Sequence, residues 1–172
     1  MDFLIILIDL VVIALGIVDV RFGFICRREQ HQNKMNAQIY VGDGKIVWIF
    51  GLISWVAGIL EMILLLVSFN EFAFYIWLLI CIMAQWGMTA FLWQHYCYSA
   101  VYLYGKKIYF FDKRRKRNIG LENKVGIKAA LGNTVYAFFD ENDNKLFEIQ
   151  MKKKNASELM QLIKNEISNR NP

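Results

Sequence analysis

Not one lysine or arginine occurs between Lys45 and Lys106, a run of sixty positions whose only acids are Glu61 and Glu71. A stretch that long, mostly apolar and without a basic residue, cannot be folded into the core of a small soluble domain and reads as membrane spans. The composition agrees. Of the 172 residues, 56% are hydrophobic, against about 45–50% in an ordinary soluble domain. Charge is partitioned along the chain. Residues 1–95 carry five basic and seven acidic groups, a net of −2, whereas 96–172 carry fifteen and eight, a net of +7. The pattern predicts a transmembrane domain over 1–95 and a basic cytosolic domain over 96–172.

Three spans are expected, over residues 3–20, 46–69 and 72–93, with a cytosolic loop at 21–45. At 1.5 Å per residue the second is about 36 Å long, enough for the ~30 Å hydrocarbon core. A cleaved signal peptide competes for the first segment. However, no basic residue precedes its apolar run and Arg21 follows immediately, so an uncleaved span is expected. Basic residues set the orientation. The first loop holds Arg21, Arg27, Arg28, Lys34 and Lys45, while the turn at Asn70 and Glu71 holds none. This places the N-terminus outside and the C-terminal domain in the cytosol of a multi-pass cell-membrane protein. Trp48 and Trp93 then fall near the inner boundary, and Phe72, Phe74, Tyr75 and Trp77 near the outer one.

Cys26, Cys81 and Cys97 form no C-x-x-C pair, and His31 and His95 are isolated. No disulfide framework, metal site or cofactor is expected. From Cys97 the periodicity changes. Val101-Tyr-Leu-Tyr and Lys107-Ile-Tyr-Phe-Phe read as short strands separated by Gly105, and a weaker strand is expected near 125–129. Thr134–Phe139 and Lys145–Met151 flank the polar turn Asp140-Glu-Asn-Asp-Asn and read as a hairpin. Asn155 with Glu158 suggests a capping box for a last helix, along which Leu159, Leu162, Ile163 and Ile167 recur at helical spacing. The fold class is therefore an α+β membrane protein: three transmembrane helices, then a small antiparallel sheet closed by an amphipathic C-terminal helix.

The run from Tyr102 to Ile167 resembles the pleckstrin-homology-like fold. It consists of YLYGKKIYFFDKRRKR, a K-V-x-I-K strand, NTVYAFFDENDNKLFEIQ and NASELMQLI. It is similar to the bacterial domains of this kind that accompany transmembrane hairpins in small membrane proteins, most of unknown function. The resemblance implies a reduced sheet of four to six strands and no residue-by-residue phosphoinositide signature. The layout also resembles accessory or immunity-type proteins that protect bacterial cells from membrane-active peptides.

Two features can carry function. The first is the basic cluster Lys113, Arg114, Arg115, Lys116 and Arg117, which borders a hairpin turn. It is suited to anionic inner-leaflet lipids, at ~1 kcal/mol per basic residue near the surface. A solvated charged turn that only fixes topology is the alternative, and nucleic acid is not an expected partner. The second feature is a pair of intramembrane acids, Asp9 and Glu61, at ~2.5–3.5 kcal/mol each on insertion scales. Gly51, Ser54, Gly58 and Glu61 share one helix face, and Asp9, Val12, Gly16 and Asp19 another. Small residues there allow close helix approach. With Gly16 opposite Gly51, Asp9 falls opposite Gly58, one turn from Glu61. Both acids being protonated or locally bonded is the alternative. No G-x-S-x-G, phosphate loop or H-E-x-x-H is present, so no enzyme is expected. Two functions remain: a non-enzymatic protein whose tail contacts the bilayer or a protein partner, and a subunit of a larger transporter or complex docking through its acidic face. The first admits a homo-oligomer.

Overall fold

A computed structural model shows an α+β chain with four helices and two small antiparallel sheets among the described residues, which are 2–67, 72–121, 125–130, 132 and 134–168. The turn expected at Asn70 and Glu71 lies outside them, as do the side chains of Phe72 and Ile167. The chain divides into two compact units, Met1–Arg28 with Gly44–Tyr96, and Glu29–Asp43 with Cys97–Pro172.

The first unit takes α1 (Asp2–Asn36) as far as Arg28, all of α2 (Lys45–Val67), and α3 (Phe72–Tyr98) as far as Tyr96. Two stretches, Lys45–Leu66 and Ala73–Tyr98, are long and apolar enough to cross a membrane. Only 22% and 28% of them is buried, whereas the core helix of a soluble protein hides most of its surface. The expectation of three spans is thus corrected to two. In α1 the described side chains begin at Ile5, and Ile5 to Phe22 includes Asp9, Asp19 and Arg21. That is too much charge for a stretch that must lose its water.

A second correction concerns 21–45, which is not a loop. α1 continues to Asn36 because Arg27, Arg28, Glu29, Gln30, Gln32 and Lys34 are all good helix formers and no glycine or proline interrupts them. Its buried positions keep a seven-residue repeat, Asp9, Val12, Gly16, Gly23, Cys26 and Gln30, with the half-buried Asp19 in phase. α3 repeats likewise, with Tyr75, Ile82, Thr89 and Tyr96 on one line and Trp86 and Trp93 beside it, all buried. Such a repeat is the signature of left-handed helix packing.

Among the described residues the second unit contains seven strands. β1 (Ile39–Val41), β2 (Val101–Tyr104), β3 (Lys107–Asp112) and β4 (Arg115–Gly120) form one sheet in that order. A second sheet orders β5 (Gly126–Ala130), β6 (Val135–Phe139) and β7 (Lys145–Gln150). The expected β6–β7 hairpin is present, with Val135 opposite Gln150 and an irregularity at Phe138/Phe139. The expected four to six strands become seven because β1 comes from the segment before α2 and pairs with β2, Tyr40 opposite Tyr102. The core joins Ile39, Val41, Leu103, Ile108 and Phe110 to Phe138, Phe147 and Ile149. The last helix, α4 (Ala156–Ser168), adds Ala156, Leu159, Met160 and Ile163.

The capping box at Asn155 does not form. Asn155 takes a positive φ of 62°, and its side-chain amide donates to the Tyr40 carbonyl of β1 at 3.3 Å. An N-cap residue needs extended backbone to aim its oxygen at the first turn. Here the side chain instead ties the helix entry to the edge of the sheet.

Candidate functional site

The basic cluster is built on the β3–β4 hairpin. Its register runs from Lys107 opposite Gly120 to Asp112 opposite Arg115, leaving Lys113 and Arg114 as a two-residue turn. Both have positive φ, 46° and 69°. This is the backbone of a type I′ turn, which matches the twist of a hairpin and is normally filled by Asn-Gly or Asp-Gly. A side chain in this region costs ~1–2 kcal/mol, because its Cβ crowds the following carbonyl oxygen.

Strand alternation then divides the cluster between two faces. Arg117, opposite Phe110, reaches the Asp112 carboxylate at 3.1 Å. Lys116, opposite Phe111, lies on the other face with the tyrosines. There Tyr40, Tyr102 and Tyr109 stack in succession across three strands, with ring centres 6.4 and 5.3 Å apart. The Lys116 ammonium sits over the Tyr102 and Tyr109 rings, 5.1 and 5.4 Å from their centres, and donates to Asn33 Oδ1 at 3.4 Å. Asn33 Oδ1 also accepts from the Tyr102 hydroxyl at 3.1 Å, and the Tyr40 hydroxyl donates to Gln30 Oε1 at 2.7 Å. The polar end of α1 therefore covers this tyrosine face. Among the described residues no carboxylate lies in ion-pair range of Lys116. A cleft of about 400 Å³ opens beside it, with Arg114 on its rim and Asn33 in its wall.

The two candidate acids of the first unit differ in their hydrogen bonding. Asp9 is 6% exposed and accepts a hydrogen bond from the Tyr75 hydroxyl of α3 at 2.9 Å. Glu61 has one buried oxygen, Oε2, with no hydrogen-bond partner among the described residues. The register differs from expectation by one heptad. A Cβ on Gly16 or on Gly58 would strike the Trp86 ring, at 2.5 and 2.4 Å, and one on Gly23 or Gly51 would strike Trp93, at 2.4 Å in each case. Gly16 is thus level with Gly58, and Gly23 with Gly51. Asp9 consequently falls one heptad beyond Gly58, where Tyr75 meets it.

Sequence reasoning missed the tryptophans that fill these glycine gaps. Trp93 is fully buried, stacks on Trp48 at 6.3 Å and donates to the Trp48 carbonyl at 3.1 Å. Trp48 donates to the Gly23 carbonyl and Trp55 to the Gly16 carbonyl, each at 2.9 Å. Ser54 donates to the Gln85 carbonyl at 3.0 Å. Trp48/Trp55, Trp86/Trp93, Gly16/Gly23 and Gly51/Gly58 are each spaced by seven, so two tryptophan–glycine layers stand about 10 Å apart. That shared interval was the signal available in the sequence. The layers differ in one respect: Trp86 Nε1 has no partner among the described residues.

Comparison with protein-family models, curated proteins and solved structures finds no match to this chain.

Proposed function

We propose that this is a non-enzymatic integral membrane protein whose basic α+β unit lies in the cytosol and contacts the anionic inner leaflet through the β3–β4 hairpin. The observation that carries the reading is the Lys113-Arg114 turn. Two long cationic side chains are kept at an exposed tip in a backbone conformation that Asn-Gly would adopt without strain. What they supply and Asn-Gly does not is charge. The helices support the membrane part. α2 and α3 turn Ile49, Ile53, Leu60, Trp77, Ile80 and Phe91 outward, an apolar surface suited to acyl chains. β1 precedes α2, β2 follows α3, and the two strands pair, so both ends of the helical hairpin return to one sheet. This agrees with a hairpin whose ends share one side of the membrane, the side rich in Lys and Arg. Sheets of four and three strands with a C-terminal helix in the core favour the pleckstrin-homology-like resemblance, with α2 and α3 inserted between the first two strands.

The test uses the full chain in nanodiscs, with an environment-sensitive dye on Asn118→Cys, an exposed position of β4. Cys26 and Cys97 are buried and Cys81 is partly buried, which favours labelling at 118. Dye emission should shift as phosphatidylglycerol replaces phosphatidylcholine and return as salt is raised, since screening shortens the reach of charge to ~8 Å at physiological ionic strength. An emission indifferent to both refutes the reading.

The orphan Glu61 Oε2 favours a second reading, a subunit that docks a partner's membrane helix there. A stoichiometric membrane protein that co-purifies in mild detergent and is lost on Glu61→Gln would establish it. A chain that purifies alone would exclude it.

A further inference from the structure

The cleft of the second unit has a charge arrangement that the leaflet contact shares only at Arg114. One wall carries two cations, Arg114 and Lys116, and the other comes from the end of α1, with Gln32, Asn33 and the Glu29 carboxylate. Tyr98 and Phe111 pack edge to face between them, their ring centres 5.4 Å apart. Lys116 is the informative member. Three other lysines of the unit meet acids: Lys128 pairs with Asp143, Lys145 with Glu148 and Lys153 with Asp43. Lys116 is held in place by two tyrosine faces and one amide oxygen, none of which neutralises it. An ammonium fixed this way is a prepared anion contact, because its side-chain freedom is already restricted before any ligand arrives.

Arg114 adds a planar fork suited to phosphate oxygens. Glu29 and the aromatic pair supply the opposite chemistry, a carboxylate and ring faces that attract an ammonium. Cations on one side and a carboxylate with aromatic rings on the other suit a compact zwitterion better than a simple anion.

We propose that this cleft binds a phosphate ester carrying a primary amine, the phosphoethanolamine group, with phosphate at Lys116 and Arg114 and the ammonium at Glu29. The group could come from a lipid headgroup or from a soluble ester. In the first case the inference rests on the membrane reading above, and in the second it stands without it.

The full chain in a maltoside detergent, which contains no phosphate, is titrated with O-phosphoethanolamine, glycerol 3-phosphate and inorganic phosphate by calorimetry. In parallel, the chain is extracted from membranes of phosphatidylethanolamine and phosphatidylglycerol, and its retained lipids are weighed by native mass spectrometry. Saturable binding of O-phosphoethanolamine identifies a soluble source. Selective retention of phosphatidylethanolamine without it identifies the lipid. Lys116→Gln should weaken either by about tenfold, the loss expected for one charged contact, and Lys116→Arg should restore most of it. Arg114→Asn removes the charge from a residue type that tolerates positive φ, so the turn survives and binding falls similarly. Glu29→Gln should erase the preference over glycerol 3-phosphate. Thermal melts of each variant confirm that the fold is kept.

The proposal is overturned if no amine-bearing phosphate binds in either arm, or if binding survives both Lys116→Gln and Arg114→Asn. If the dye on Asn118→Cys still responds to phosphatidylglycerol while O-phosphoethanolamine and phosphatidylethanolamine are ignored, the cleft fails and the leaflet contact stands.

Discussion

Replacing Lys113-Arg114 with Asn-Gly separates what the hairpin needs for stability from what it offers at its surface. Both residues sit at positive φ, 46° and 69°, and each carries ~1–2 kcal/mol of steric cost there. Asn relieves part of that cost at the first position. Gly removes it at the second but returns about 0.4–1 kcal/mol through the entropy of the unfolded chain. The net expectation is a gain of ~1–2 kcal/mol. For a unit of this size that raises the melting temperature by about 5–10 °C. The same change deletes two basic residues at the tip. At ~1 kcal/mol each near an anionic surface, the loss is ~2 kcal/mol, or roughly 30-fold in association. Circular dichroism of the full chain in nanodiscs measures the first quantity, and the dye on Asn118→Cys, titrated with phosphatidylglycerol, measures the second. The two must move in opposite directions. A variant that gains stability and keeps its response to anionic lipid makes the turn a solvated connection and nothing more. A variant that loses stability shows that Lys113 and Arg114 are held by contacts worth more than their strain.

Three further outcomes follow from other parts of the chain. Gly51→Ala should destabilise the helical unit by ~1–3 kcal/mol through overpacking, because the new Cβ would lie 2.4 Å from the Trp93 ring, whereas Gly87→Ala, with nothing within 4 Å, should be neutral or slightly stabilising; denaturation in mild detergent compares them. Tyr75→Phe leaves the buried Asp9 carboxyl without its donor and should cost ~1–3 kcal/mol, while Asp9→Asn, which can still accept from the hydroxyl, should cost less. In the β6–β7 turn, hydrogen bonds from the Asn144 side chain, the Asn144 backbone N–H and the Asn142 N–H hold the Asp140 carboxyl below the usual carboxylate range. Its stabilisation is therefore full above the unfolded value of ~3.9 and lost as pH falls through the lower folded value. Melting temperatures between pH 6 and pH 3 should drop less steeply in Asp140→Asn than in the native chain.

What could be read from the sequence depended on how local its cause was. The α2 and α3 helices were legible because sixty positions without a basic residue leave few alternatives, and the β6–β7 hairpin because its turn chemistry and alternation sit within eighteen residues, Thr134 to Met151. β1 was not legible. Ile39-Tyr-Val is three residues long and finds its partner, Val101-Tyr-Leu, only after the whole helical hairpin has intervened. The glycine face on α2 was recognisable, but its register against α1 was not, since glycine spacing by seven permits a slip of one heptad. The tryptophans decide between the alternatives: Trp86 fills the gap shared by Gly16 and Gly58, and Trp93 the gap shared by Gly23 and Gly51. Once those rings are seated, Asp9 comes to Tyr75, and Glu61 is left with an oxygen that nothing described in the chain satisfies. The basic cluster shows the same limit from the other side. Its five residues are consecutive, yet their roles diverge through strand alternation. Lys113 and Arg114 bear the strain of the turn, Arg117 is paired with Asp112, and Lys116 alone is fixed above the tyrosines without a carboxylate. A run of like charges in a sequence is therefore not one site. Which of its members can meet a ligand is settled by the strand's period of two and by what the opposite strand already supplies.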